Sequence, residues 1–95
     1  MDITIPGTAY YECLDPLASG MASDLKLPEP SIVRAGRGVR VTYKGLTPEQ
    51  VRAVGRHFCD MGDLWLNNSD PEFDKAERAR YRVLVKTGER LVVTA

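Results

Sequence analysis

The chain is predicted to adopt an α+β fold, and three observations carry that prediction. A helix-start signature lies at residues 46–51, valine-rich segments flank two glycine-containing turns, and a short alternating segment opens the chain. With 95 residues, 43% hydrophobic and 27% charged, the composition is that of one globular domain spanning 1–95.

The elements follow in order. Residues 2–5, Asp-Ile-Thr-Ile, alternate and stop at Pro6-Gly7, which reads as a short strand. Tyr10, Tyr11, Leu14, Leu17, Ala18 and Met21 recur at helical spacing within 8–22, and Asp15-Pro16 should kink or divide that helical segment. Tyr10 and Tyr11 are adjacent, so one is expected outside the core. Pro28 and Pro30 mark an extended connection over 24–30.

The first hairpin is expected over about 31–44, around Gly36-Arg37-Gly38. A three-residue loop ending in a left-handed Gly38 would set Ala35 opposite Val39, Val33 opposite Val41 and Ser31 opposite Tyr43, with the valines on one face. A two-residue loop would scramble those faces. The same reasoning predicts a second hairpin over about 81–94, with Val83 facing Leu91, Tyr81 facing Val93 and Gly88 at positive φ.

Between the hairpins, Thr47 can cap a helix, Pro48 suits its first position, Gln50 completes a capping box, and Leu46 and Val51 can form a hydrophobic staple. A long helix is expected over about 48–66, with Val51, Val54, Phe58, Met61 and Trp65 on its apolar side. Asn67-Asn68 should end it. Asp70-Pro71 should open a shorter helix over about 71–80, with Asp74 and Arg78 paired at i, i+4.

The net charge is zero, which argues against a general polyanion binder, yet the charge is segregated. Residues 1–30 carry Asp2, Glu12, Asp15, Asp24 and Glu29 against Lys26, a net of −4. Residues 31–48 carry Arg34, Arg37, Arg40 and Lys44 with no acid, a net of +4. Cys13 and Cys59 fit neither a disulfide framework nor a zinc spacing, so free thiols in a reducing cytoplasm are expected. No apolar run approaches the roughly 20 residues of a membrane span, and no signal-peptide pattern opens the chain.

No catalytic or metal constellation emerges, and the expectation is a non-enzyme without cofactors. His57 and Cys59 lie two apart on the predicted helix and diverge by roughly 200°. His57 with Asp60 supplies two metal ligands at most, and Asp70, Glu72 and Asp74 lack the offsets of a calcium loop. Gly36-Arg37-Gly38 joins two strands, so it is not a phosphate loop.

The candidate binding residues are Arg34, Arg37, Arg40, Lys44 and Trp65. In the expected register Arg34 stands opposite Arg40, a like-charge pair that asks for an anion: the chain's own acidic third, an acidic protein, or nucleic-acid phosphate. Trp65 is either a core anchor or a rim contact. The expected function is a small protein-binding module, in the manner of accessory or inhibitor proteins of phages and mobile elements, and a homodimer is one form of it. The alternative is nucleic-acid binding through the basic hairpin 34–44.

Overall fold

The computed structural model describes residues 1–12 and 26–95. It is α+β: a three-stranded antiparallel sheet and helices. Strand β1 (Ile3–Pro6) leads directly into the short helix α1 (Gly7–Glu12). Strands β2 (Ser31–Ala35) and β3 (Gly38–Tyr43) form the hairpin, and the sheet order is β1-β3-β2. Two 20-residue helices follow, α2 (Pro48–Asn67) and α3 (Lys75–Thr94). The expected kink at Asp15-Pro16 lies outside the described residues.

Helix α2 begins as its sequence dictates. Gln50 N–H donates to Thr47 Oγ1 at 3.1 Å, and Thr47 N–H donates to Gln50 Oε1 at 2.8 Å. Leu46 and Val51 are both buried, as a staple requires. Val51, Val54 and Phe58 are fully buried, each worth about 1.5–3 kcal/mol of burial.

The second hairpin is not formed, and the shorter helix 71–80 does not start at Pro71: residues 75–94 are one helix. Asp70 accepts from the N–H groups of Glu72 at 2.8 Å and Phe73 at 3.0 Å, holding a turn ahead of α3. Those bonds keep its carboxyl below the usual range. The Arg78 side chain does not pair with the Asp74 carboxylate; its Nη1 donates to Leu66 O at 3.0 Å and Ser69 Oγ at 2.8 Å. Tertiary packing overrides the strand propensity of 81–94. Leu84 and Leu91 are buried, and Tyr81 and Ala95 pack against the core, a helical spacing disguised by the exposed Val83 and Val93.

Gly88 serves a close approach, not a turn. A Cβ there would stand 2.7 Å from Cys59 Sγ and 2.8 Å from Cys59 N. Gly55 and Gly62 on α2 meet α3 as closely: a Cβ would lie 2.8 Å from Gly88 O or 2.9 Å from Tyr81 O. The two helices therefore meet backbone to backbone.

The first hairpin exists with a different register. Ala35 pairs with Gly38, Arg34 with Val39, Val33 with Arg40, Ile32 with Val41 and Ser31 with Thr42. Gly36-Arg37 is a two-residue turn with positive φ at Gly36 (63°) and not at Arg37, the pattern of a type II′ turn. Gly38 needs no positive φ. The inward face of β3 is as expected, with Val41 and Tyr43 buried beside Ile5 and Ile3 of β1. Strand β2 departs because its side chains carry little burial: Ile32 is 50% and Val33 57% exposed on opposite faces. The turn, and not apolar alternation, sets its register.

Below β3, Tyr43 and Tyr10 are both buried. Burial, the nearby Tyr10 charge and a hydrogen bond with Tyr10 push the Tyr43 phenol up to about 12.

Candidate functional site

The two edges of the sheet are built differently. A two-residue turn closes with a hydrogen-bonded pair, here Ala35–Gly38, and bonded pairs then alternate to Val33–Arg40 and Ser31–Thr42. Ile32 and Arg34 therefore direct their backbone N–H and C=O groups away from β3. No strand among the described residues pairs with them. On the far edge, the same alternation turns Thr4 and Pro6 outward. Pro6 has no N–H to offer, and the Thr4 carbonyl accepts from Arg90 Nη2 of α3 at 3.1 Å.

The hairpin arginines sit around the turn on both sides of the sheet. Arg34 does not stand opposite Arg40. Its cross-strand neighbour is Val39, while Arg40 faces Val33, so the two arginines project to opposite faces. On the helix-facing side, Arg34 and Arg37 line a cavity of about 460 Å³ with Gly7, Thr8 and Val39. On the outer side, Arg40 and Arg90 line a cavity of about 340 Å³ with Thr4, Pro6, Ala35 and Val39. No ion pair engages these four arginines among the described residues. Of the acidic third, Asp2 is occupied in accepting from Gly45 N–H at 3.0 Å. Asp15 and Asp24 lie outside the described residues.

The remaining candidates fall elsewhere. Lys44 is exposed beyond the far end of β3, roughly 13 Å from Arg40 at strand rise. Trp65 is partly buried against the core and packs on Tyr81, ring centroids 5.4 Å apart and tilted 57°. Tyr81 precedes Arg90 by nine residues on α3, roughly 14 Å of helix. Trp65 and the basic hairpin therefore do not form one surface. Arg90 was hidden from sequence reasoning, because a strand over 89–94 would not bring it to β1.

His57 and Cys59 diverge on α2 as their spacing requires. Burial lowers the His57 imidazole, against an opposing pull from Asp60. Burial, followed by Glu89, Asp63 and Asp60, raises the Cys59 thiol, whose sulfur lies 3.7 Å from the Val85 carbonyl. A raised thiol is a poor nucleophile. Cys13 lies outside the described residues. No three His, Cys, Asp or Glu side chains gather for a metal among the described residues, and no described helix is long and apolar enough to cross a membrane.

With edge geometry and charge as its distinguishing features, the chain matches no protein-family model, no curated protein and no solved structure.

Proposed function

We propose that the chain is a non-enzymatic binding module that receives an extended segment of an acidic protein partner as a fourth strand along β2. The observation that carries this reading is the contrast between edges: β1 is blunted by Pro6 and Arg90, while β2 presents the backbone groups of Ile32 and Arg34. Strand addition takes its affinity from main-chain hydrogen bonds and its selectivity from alternate side chains. Here an apolar side chain would meet the exposed Val33 on one face, and an acid would meet Arg34 on the other.

The test is Ile32→Pro. The Ile32 N–H points away from β3, so proline there removes an outward donor and leaves the β2–β3 bonds in place. Affinity capture with the wild-type chain and with a variant verified as folded by circular dichroism should show the partner lost only from the variant. Equal recovery would end the strand-addition reading. A second copy is a competing occupant, since pairing about a two-fold at Val33 sets Ile32 of one copy across from Arg34 of the other. Sedimentation equilibrium distinguishes it, as the wild type would dimerise and Ile32→Pro would not.

A second reading is favoured by one observation. Arginines project from both faces and the tip of one ribbon, which suits a nucleic-acid groove with phosphates on two walls. Binding would then fall steeply with salt and survive Ile32→Pro. No mobility shift of DNA or RNA at about 50 mM salt would remove it.

A further inference from the structure

We infer that the outer-face cavity between Arg40 and Arg90 is a binding site for a dianionic phosphate group. This site stands apart from the strand-addition reading, because the cavity meets β2 only at Ala35.

Two arginines from different elements, Arg40 of β3 and Arg90 of α3, line one concavity of about 340 Å³. Arg90 is anchored by the bond from its Nη2 to the Thr4 carbonyl at 3.1 Å. A guanidinium carries five N–H donors, so most of those on Arg90 remain free for a ligand. Thr4 also lines the cavity, and its hydroxyl lies 3.3 Å from that of Thr42. The other lining residues, Pro6, Ala35 and Val39, are apolar and add no competing acceptor side chain. No acid pairs with either arginine among the described residues.

Two like charges lining one concavity repel each other until an anion enters. A phosphate group supplies two charges for two guanidinium groups and tetrahedral oxygens that suit bidentate arginine contacts. A monocarboxylate neutralises only half. The volume is at the low end for ligand sites, enough for the phosphate and a small remainder of its carrier. Free inorganic phosphate and a phosphorylated side chain share this chemistry.

The experiment is a titration of the full chain, labelled with ¹³C and ¹⁵N, at pH 7.5 and constant ionic strength. The arginine Nε–Cζ resonances are followed as inorganic phosphate replaces chloride. Saturable shifts are expected at Arg40 and Arg90 and not at Arg52 or Arg56. Arg40→Gln and Arg90→Gln should each weaken binding about tenfold or more, the scale of one charge-assisted bond, whereas Lys44→Gln should leave it unchanged. Tighter binding of O-phosphoserine than of inorganic phosphate would identify a modified side chain as the source; the reverse order would identify the free ion. Either supports the site. Linear shifts spread over all arginines would mean an adventitious ion only and would overturn the inference. Acetate matching phosphate would overturn the dianion assignment. Because Ile32→Pro leaves the cavity lining intact, its effect on partner capture and this titration fail independently.

Discussion

Both edges of the sheet are short, yet they are finished differently. β1 ends in a proline and has its exposed carbonyl occupied by an arginine from α3. Among the described residues β2 has neither device, and it places apolar side chains in solvent on both faces. Natural sheets manage their edges with proline, bulges, charges or covering elements. Edge protection here therefore comes partly from distant sequence: Pro6 is local, but Arg90 is 86 residues from Thr4 and reaches it from α3.

The strongest way to break this contrast is to disturb the α2–α3 helix pair. Gly88→Val should destabilise the fold by about 3 kcal/mol or more, because the new side chain meets Cys59 at sub-contact distance and the backbone of α2 cannot yield. Urea denaturation would measure the loss. A paired test on β2 comes next. Val33→Pro removes an N–H bonded to β3 and should cost about 2–3 kcal/mol, whereas Ile32→Pro should cost within about 1 kcal/mol. Equal losses in thermal melts would contradict the assignment of outward groups.

The central strand supplies a control that moves both edges together. Tyr43 keeps its proton to a higher pH in the folded chain than in the unfolded one. The unfolded chain thus binds fewer protons above pH 10, and stability falls as pH rises from 10 to 12. The full loss is about 3 kcal/mol, and Tyr43→Phe should flatten the dependence of the urea midpoint in that window. The smallest effect is expected from Arg90→Gln. It should cost about 1 kcal/mol or less in denaturant unfolding, since one partly solvated hydrogen bond is lost.

The parts of this fold that were legible in the sequence are those decided locally. Thr47, Pro48 and Gln50 start α2 through bonds that span three residues. β1, the hairpin and the inward face of β3 also follow from near neighbours. The hairpin register was not legible, because Gly36 and Gly38 both offered a turn and the half-exposed β2 gave no burial signal to choose between them. The sequence of α3 imitates a hairpin, because Val83, Val92 and Val93 favour a strand and Thr87-Gly88 resembles a turn. Its helical state depends on Gly55 and Gly62 of α2, a long-range match that no window along 81–94 contains. The basic character of the site was visible in Arg34, Arg37 and Arg40. Its division between two faces followed from the register, and the contribution of Arg90 followed from α3.

The glycine contacts between α2 and α3 also limit how the molecule can respond to a ligand. Sliding one helix along the other would drive Val85 or Val92 into main-chain atoms, so the pair behaves as a keyed joint. Arg90 is therefore delivered to the sheet at a fixed height. Any adjustment on binding must come from the ribbon bending toward that fixed guanidinium, with the helices serving as its rigid abutment.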